Sequence, residues 1–317
     1  MRVAIFGIGA MGCLFGSRLA PHTDVTLVGR WPEQLARLQG HPLQVISTQG
    51  LEHEIMLKVM GADQAASELP PQSIDVALIL VKSGQTAQAA DGAARLLRPN
   101  GLAITLQNGL GNLEIIARRV GTERAALGTT TQGAAIDEPG VLIEGGEGVT
   151  HLAAGSGNRL QVQAVAMLFE QGGLYTEVVE DVTSLVWGKL AINAAINPLT
   201  ALLHVPNGAL LESGYARGLM GDAAREVAAV AHAKGISLPY PDPAARAEEV
   251  ARLTGSNRSS MLQDILRGAP TEIDAICGAV VHEGEQLGIP TPINATLYRL
   301  VKALEAANAG DAVQKTS

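Results

Sequence analysis

The first half of the chain alternates short apolar runs with helical or glycine-punctuated segments. The run at 76–81 holds six consecutive apolar residues, as expected of a strand that is buried on both faces of a sheet. Strands that alternate with helices are typical of a doubly wound, mostly parallel α/β sheet. The predicted strands are 3–6, 25–28, 76–81, 102–106 and 125–128.

The pattern changes from about residue 132 onward. The glycine-rich stretch 132–157 contains short β-like pieces, which we expect to extend the sheet in an antiparallel direction. From about Asp181 onward apolar residues recur at helical spacing, as Leu219, Ala223, Val227 and Val230 do. We therefore predict an α/β domain over 1–180 and an all-α domain over 181–317.

Three glycines directly follow the first apolar run. Gly7, Gly9 and Gly12 have the spacing of a dinucleotide-binding turn, which needs a tight turn, a close backbone approach to a pyrophosphate and close packing of the next helix. The spacing is weak evidence in a chain with 36 glycines, but a strand, a helix and a second strand surround it in the right order. We predict a Rossmann-type domain, in which the helix N-terminus faces the phosphates. The candidate cofactor residues here are Gly7, Gly9, Ala10, Met11 and Gly12.

The end of the second strand indicates which cofactor is preferred. Arg30 stands where NAD-binding domains place an Asp or Glu for the ribose 2′-hydroxyl. A carboxylate would repel a 2′-phosphate, whereas a guanidinium binds it, so NADP or NADPH is favoured. Two alternatives stay open: Arg30 as a solvated charge at a strand end, and residues 1–20 as a signal peptide.

Composition excludes several other classes of function. A net charge of −8 argues against nucleic acid as a partner, and two distant cysteines suggest a reducing compartment, which we take to be the cytoplasm. The longest apolar stretch, 186–205, contains Lys189, Asn193 and Asn197, so no membrane span is predicted. No HExxH, CxxC or GxSxG spacing occurs, so we predict neither a metal site nor a serine hydrolase.

Lys189, Asn193 and Asn197 form the most unusual polar pattern in the chain. Their spacing of four residues puts an ammonium and two amides on one face of an otherwise apolar helix. Burying each of these groups without a partner costs on the order of a few kcal/mol. The stripe therefore pairs internally or lines a cavity that holds a polar ligand. For Lys189 a surface position with an extended side chain is the alternative.

The stripe belongs to a longer series of motifs. Residues 187–193 (WGKLAIN), 197–202 (NPLTAL) and 206–208 (PNG) strongly resemble the ketopantoate reductase (2-dehydropantoate 2-reductase) family. The resemblance covers residues 1 to about 295. Further segments resemble motifs of this family in the expected order: Val81-Lys82 with Gln85, Gln107-Asn108-Gly109, 259–264 (SSMLQD) and 271–274 (TEID).

The resemblance implies roles for the matching residues. Lys189 would protonate or polarise a ketone oxygen, and Glu272 would bind a substrate hydroxyl and orient the lysine. Asn108 would lie near both nicotinamide and substrate, in a cleft between the two domains. The remaining substrate residues would be Asn193, Asn197, Asn207 and Ser260, and the remaining cofactor residues would be Arg30, Lys82, Gln85 and Glu272.

Several of these residues also fit purely structural roles. Ser260 with Gln263, and Thr271 with Asp274, have the spacing of helix-capping boxes, which would make Glu272 a first-turn carboxylate. Asn207 and Asn108 each precede a glycine, as turn residues do, and Lys82 fits an exposed strand end. Gln132 departs from the family pattern, in which we expect histidine.

The expected activity is that of an oxidoreductase: NADPH-dependent reduction of 2-dehydropantoate to pantoate, in pantothenate and coenzyme A biosynthesis. The expected partner is a small 2-keto acid, with a homodimer as the expected assembly. Two alternatives remain. One is a reductase of another branched 2-keto acid, and the other is a non-catalytic NADP-binding sensor.

Overall fold

The computed structural model describes residues 1–155 and 157–315, with side chains as far as Asn308. Its internal contacts divide the chain into two compact units. Unit 1 comprises Met1–Gln107 and Asn112–Val182, and unit 2 comprises Asn108–Gly111 and the chain from Thr183 onward. The domain boundary expected from the sequence, after residue 180, stays a prediction. That expectation does not include the grouping of residues 108–111 with unit 2. Residues 156, 316 and 317 of the two predicted domains lie outside the described residues.

Unit 1 contains strands and helices in alternation. Its strands are β1 (Arg2–Phe6), β2 (Asp24–Gly29), β3 (Leu43–Ile46), β4 (Glu52–Ile55), β5 (Lys58–Gly61), β6 (Ile74–Ile79), β7 (Leu97–Thr105), β8 (Ala125–Thr130), β9 (Ala134–Ile136), β10 (Val141–Glu144), β11 (Thr150–Ala153) and β12 (Thr176–Val179). Its helices are α1 (Ala10–Leu19), α2 (Pro32–Gly40), α3 (Ala62–Glu68), α4 (Thr86–Leu96), α5 (Asn112–Val120) and α6 (Arg159–Gln171), with short 3₁₀ turns at Ser83–Gln85 and Thr122–Arg124.

The main sheet of unit 1 has the strand order β12-β11-β8-β7-β6-β1-β2-β5. The six strands from β8 to β5 are parallel, and β11 pairs antiparallel with β8. The chain proceeds from β1 outward to β2 and β5, then returns to place β6 on the other side of β1. The carboxyl ends of β1 and β6 therefore flank the reversal point, which is where sheets of this kind bind ligands. This arrangement confirms the predicted α/β class.

A second sheet, with the order β4-β3-β10-β9, was not expected. The sequence interpretation assigned the whole of 132–157 to an antiparallel extension of the main sheet. Among the described residues of this stretch, only β11 fulfils this role, since β9 and β10 join β3 in the small sheet. The small sheet forms because β3 and β10 turn Leu43, Val45 and Leu142 into the apolar core of unit 1.

The cores match the pattern of apolar residues. On β6, Val76, Ala77, Leu78 and Ile79 are buried, as predicted for a strand covered on both faces.

Unit 2 is helical and contains α7 (Thr183–Leu203), α8 (Gly214–Ala233), α9 (Pro243–Leu253), α10 (Ser260–Leu266), α11 (Ala279–Leu287) and α12 (Pro292–Lys315), with a 3₁₀ turn at Asn207–Leu211 and a π-helical turn at Asp274–Gly278. Its core joins alanine-rich faces of α7 and α8.

Candidate active site

The glycine loop of unit 1 lies between β1 and α1, and its three glycines differ in their surroundings. A Cβ on Gly12 would lie 1.9 Å from the Gly7 carbonyl oxygen, and one on Gly7, where φ is +126°, would lie 2.7 Å from the Leu80 carbonyl oxygen. A Cβ on Gly9 would meet nothing within 4 Å. Gly7 and Gly12 therefore allow the loop to fold, and Gly9 leaves the backbone open to a ligand.

The helix that follows the loop fits a phosphate. No side chain caps the N-terminus of α1 at Gly9, so its first amides can donate to an anion. Ala10 and Met11 are the half-buried first residues of this helix. The bare amides, the open backbone at Gly9 and the position beside the reversal point of the sheet together fit a dinucleotide pyrophosphate.

Arg30 is exposed at the carboxyl end of β2, as expected, but it has a neighbour that the sequence did not reveal. Its Nη2 lies 3.2 Å from Oδ1 of Asp63. The two residues meet because the ends of β2 and β5 are paired at Gly29 and Gly61. The exposed fraction is 43% for the Arg30 side chain and 92% for Asp63. Because the pair is solvated, it contributes about 1 kcal/mol at most, and a phosphate can displace it.

Lys82 follows β6 and is half-buried, and Gln85 is exposed at the end of the next 3₁₀ turn. A glutamine outside the set of candidate site residues, Gln107, contacts both ends of this turn. Nε2 of Gln107 donates to the Val81 carbonyl oxygen at 2.7 Å and to Oγ1 of Thr86 at 2.8 Å. Gln107 thereby binds the Val81 backbone before Lys82 and the Thr86 side chain after it.

Unit 2 carries the polar stripe on α7. Lys189 and Asn193 are half-buried, and Asn197 is buried. The pKa of Lys189 is lowered to about 8 as the net result of burial, which lowers it, and of the nearby Glu272, which raises it by a smaller amount. The lysine therefore lies close enough to Glu272 for electrostatic coupling, although the two are far apart in sequence. A lysine with a pKa near neutrality is typical of a functional site.

Glu272 is itself buried, with 6% of its surface exposed. Its Oε2 accepts a hydrogen bond of 3.2 Å from Nδ2 of Asn108. Unit 2 thus brings three predicted residues together from three segments: Asn108, Lys189 and Glu272. Glu272 therefore has a side-chain contact beyond the interaction of a first-turn carboxylate with a helix dipole.

Both proposed capping boxes are wrong in detail. The N-cap of α10 is Ser259, whose Oγ accepts from the Leu262 amide at 3.1 Å, while Ser260 is the exposed first residue of the helix. At the second site Oγ1 of Thr271 accepts from the Ile273 amide at 3.2 Å. The side chain of Asp274 accepts instead from Tyr298 and Lys302. Capping therefore does not account for Ser260.

Asn207 is buried at the first position of a 3₁₀ turn, so it combines a turn role with an open polar atom. Its side-chain Nδ2 donates to Oγ1 of Thr254 at 2.9 Å, and its backbone N–H donates to the backbone carbonyl oxygen of Asn257 at 3.0 Å. Its Oδ1 is buried and has no hydrogen-bond partner among the described residues. Such an acceptor fits a hydroxyl donor from a ligand.

Gln132, where the family pattern led us to expect histidine, has a structural role in this chain. Its Nε2 donates to the Gly148 carbonyl oxygen at 2.7 Å, which ties the turn after β8 to the glycine-rich loop between β10 and β11. Over residues 1–155 and 157–315, no helix is long and apolar enough to span a membrane. The same residues contain no group of three or more His, Cys, Asp or Glu arranged to hold a metal ion.

Comparison with known families agrees with this architecture. Residues 3–157 match the model of the family described as ketopantoate reductase PanE/ApbA, and residues 181–305 match its C-terminal model. A Rossmann-type unit followed by a helical unit with the Lys189 stripe defines a class of two-domain reductases. Within that class, the chain belongs to the ketopantoate reductase family, as its motifs predicted.

Relatives resemble the chain along nearly its whole length. The 2-dehydropantoate 2-reductase of Halobacterium salinarum is 38% identical and that of Pyrococcus horikoshii 34%, with alignments that cover 95% and 98% of this chain and 98% and 99% of theirs. A solved PanE/ApbA family ketopantoate reductase from Ralstonia eutropha JMP134 superposes with a TM-score of 0.87 at 30% identity. D-mandelate dehydrogenase with NADH and anilino(oxo)acetate has a TM-score of 0.90 at 28% identity. Both structures cover 98% of this chain and are themselves covered completely.

Proposed function

We propose that this protein reduces 2-dehydropantoate to pantoate with NADPH, as a step of pantothenate and coenzyme A biosynthesis. The observation that carries the proposal is the half-buried Lys189 coupled to the buried Glu272, which Asn108 contacts, in a chain 38% identical to a 2-dehydropantoate 2-reductase over 95% of its length. We expect the cytoplasm as its location and a homodimer as its assembly, and both remain predictions.

Lys189 is the proposed acid. The bound nicotinamide would supply a hydride to the ketone carbon. Negative charge then builds on the ketone oxygen, and an ammonium beside it stabilises that charge and donates the proton. Because the pKa of Lys189 is lowered to about 8, the ammonium form dominates at neutral pH, and the proton leaves more easily than from an ordinary lysine.

The residues around Lys189 would orient it and the substrate. Glu272 favours the charged form of the lysine, and its contact with Asn108 fixes the direction of the carboxylate. We assign Glu272 also to a substrate hydroxyl and Asn108 to the space between substrate and nicotinamide. The remaining proposed substrate residues are Asn193, Asn197, Asn207 and Ser260, of which Asn207 offers the unpaired buried oxygen.

On unit 1 the proposed cofactor residues are backbone and basic groups. The amides at the start of α1 would bind the pyrophosphate, and Arg30 would bind the 2′-phosphate once Asp63 is displaced. Lys82 and Gln85 would contact the cofactor beyond β6. The full proposed set is Gly7, Gly9, Ala10, Met11, Gly12, Arg30, Lys82, Gln85, Asn108 and Glu272.

The test is a substrate and cofactor panel. Purified protein is assayed for oxidation of NADPH, and separately of NADH, with 2-dehydropantoate, 2-oxoisovalerate, pyruvate and oxaloacetate. We expect the highest kcat/KM with 2-dehydropantoate and NADPH. Binding of NADPH without turnover of any of these acids would overturn the proposal and favour the sensor hypothesis.

A second candidate is a reductase of another 2-keto acid. The similarity to D-mandelate dehydrogenase favours it, because that protein was solved with NADH and with anilino(oxo)acetate, in which an aromatic amine is attached to the oxoacid group. Asparagine and serine side chains bind many kinds of substrate oxygen, so the site does not separate the two candidates. Adding phenylglyoxylate to the panel does, since the second candidate predicts that it is preferred over 2-dehydropantoate.

A further inference from the structure

The segment Asn108–Gly111 and the π-helical turn Asp274–Gly278 lie together in unit 2. The segment follows β7 in sequence and the turn follows Glu272, so more than 160 residues separate them. Contacts of three kinds join them, and each has a separate physical basis. We infer that the π-helical turn is a docking site that fixes Asn108 against Glu272, with Gly109 as a positioning residue.

The first contact is between backbones. The Leu110 amide donates to the Ala275 carbonyl oxygen at 2.9 Å. A π-helical turn offsets the hydrogen-bond ladder of a helix, as the bond of 2.9 Å from the Gly278 amide to the Ile273 carbonyl oxygen illustrates. The offset turn presents the Ala275 carbonyl oxygen to a donor outside its own helix. Turns of this kind are frequent at functional sites.

The second contact is steric. Gly109 has φ of +81°, and a Cβ at this position would lie 2.3 Å from the Ala275 carbonyl oxygen and 2.7 Å from Ala275 Cβ. Only glycine lets the segment approach the turn this closely. The next glycine of the segment, Gly111, also has a positive φ of +87°, but a Cβ there would meet nothing within 4 Å. The close approach is therefore confined to Gly109.

The third kind of contact involves the flanking side chains. On one side of Gly109, Nδ2 of Asn108 donates to Oε2 of Glu272 at 3.2 Å. On the other side, Leu110 packs against the apolar core of unit 2. Because Glu272 lies two residues before the first residue of the turn, the backbone dock and the side-chain pair act on the same short stretch. Docking thereby sets the distance between the Asn108 amide and the carboxylate that faces Lys189.

The inference rests on the proposed function for its catalytic consequence, and the two glycines offer a matched test. Gly109→Ala and Gly111→Ala both place a Cβ at positive φ, so both carry the backbone strain, but only the first contacts Ala275. We expect Gly109→Ala to lower kcat by roughly tenfold to a hundredfold, with a smaller effect on KM. Gly111→Ala should keep kcat within about threefold of the unaltered protein.

Hydrogen exchange of the Leu110 amide tests docking without any assay of activity. In Gly109→Ala this amide should exchange roughly tenfold faster or more, and in Gly111→Ala its rate should change little. Equal losses in the two variants, or unchanged kcat in Gly109→Ala, would overturn the inference. If Gly109→Ala does not fold, hydrogen exchange of the unaltered protein still tests the inference, because a Leu110 amide that is not protected from exchange would overturn the docking contact.

The two proposals fail in different ways. If the unaltered protein reduces no 2-keto acid, the proposed function is wrong, while protection of the Leu110 amide and its selective loss in Gly109→Ala would still support the dock. If the unaltered protein is active and the two glycine variants behave alike, the dock is wrong and the proposed function stands.

Discussion

The two units build their candidate sites from different parts of the chain. In unit 1 the site is mostly backbone: it consists of bare amides at the start of α1 and of glycines that leave no room for a side chain or leave the space open. In unit 2 the site is mostly side chain, and its central groups are a half-buried lysine and a buried carboxylate. The candidate site of unit 1 thus depends on positions that lack a side chain, and the candidate site of unit 2 depends on charged side chains.

The difference affects how substitutions act. A backbone site loses function when atoms are added, and the cost appears in folding or in ligand binding, depending on where the new atom points. A side-chain site loses function when atoms are removed, and the fold can survive because the scaffold helices are held by apolar packing elsewhere. Substitutions in unit 1 should therefore change stability or NADPH affinity, whereas substitutions in unit 2 should change kcat.

The largest expected effect is on chemistry in unit 2. We expect Lys189→Ala to lower kcat by about 10² to 10⁴, because the proposed acid is lost, while the Kd of NADPH stays close to that of the unaltered protein. Steady-state kinetics and calorimetry measure the two quantities. Lys234→Ala is the control, since it removes an ammonium of the same unit that pairs with Glu283. A Lys189→Ala variant with unaltered kcat would exclude the acid role.

The glycines of unit 1 give the contrasting result. Gly12→Ala should lower the free energy of unfolding by about 3 kcal/mol, because its Cβ cannot coexist with the Gly7 carbonyl oxygen. Gly9→Ala should leave the melting temperature unchanged and weaken NADPH binding by roughly tenfold or more, because its Cβ points into open space. Gly40→Ala, also in open space but at the end of α2, is the control for both. Equal NADPH affinity in Gly9→Ala and Gly40→Ala would contradict the proposed cofactor loop.

The same contrast explains how far the sequence could predict the structure. The elements around the glycine loop follow from contiguous patterns: the predicted strands 3–6 and 25–28 lie within β1 and β2, and the helix expected between them is α1. The strands of the small sheet escaped prediction, because runs of three or four residues carry little periodic signal and their pairing depends on tertiary contacts.

The candidate site was predictable in its residues more than in its geometry. The spacing of the stripe on α7 makes Lys189 a candidate and the family resemblance gives it a role, but its coupling to Glu272 depends on how distant segments pack. Asp63 could not be found from the sequence, since it meets Arg30 only through the pairing of β2 with β5. At α10 two adjacent serines both fit a cap, and only the backbone geometry selects Ser259.

The charge coupling in unit 2 predicts a change in the pH profile. Protonated Lys189 is the active form of the proposed acid, so kcat/KM should fall as the pH rises through about 8. Because Glu272 raises the pKa of Lys189, Glu272→Gln should move this limb to lower pH and lower kcat by roughly tenfold. Glu283→Gln, which alters a half-buried carboxylate that pairs with Lys234 instead, should leave the limb in place. If the limb does not move in Glu272→Gln, then Glu272 does not influence the pKa of the group that produces the limb.

In unit 1 the charged residue at the ribose end should affect only the choice of cofactor. We expect Arg30→Ala to weaken NADPH binding by roughly tenfold, through the loss of one charge-assisted contact, and to leave NADH nearly unchanged. Fluorescence or calorimetric titration with both cofactors measures the ratio. Arg2→Ala is the control, because it removes an exposed arginine that pairs with Asp24 at the opposite, amino-terminal ends of β1 and β2. An unchanged ratio in Arg30→Ala would remove Arg30 from the cofactor site.

The smallest expected effect concerns the carboxylate beside Arg30. Asp63 competes with a 2′-phosphate for the guanidinium, so Asp63→Asn should tighten NADPH binding by about twofold to fivefold, the range of an exposed ion pair. NADH, which has no 2′-phosphate, should bind equally well to both forms, and Asp24→Asn serves as the control. The gain should shrink as salt is added, because screening weakens the competing pair. Weaker NADPH binding in Asp63→Asn would instead mean that Asp63 holds Arg30 in the orientation that receives the phosphate.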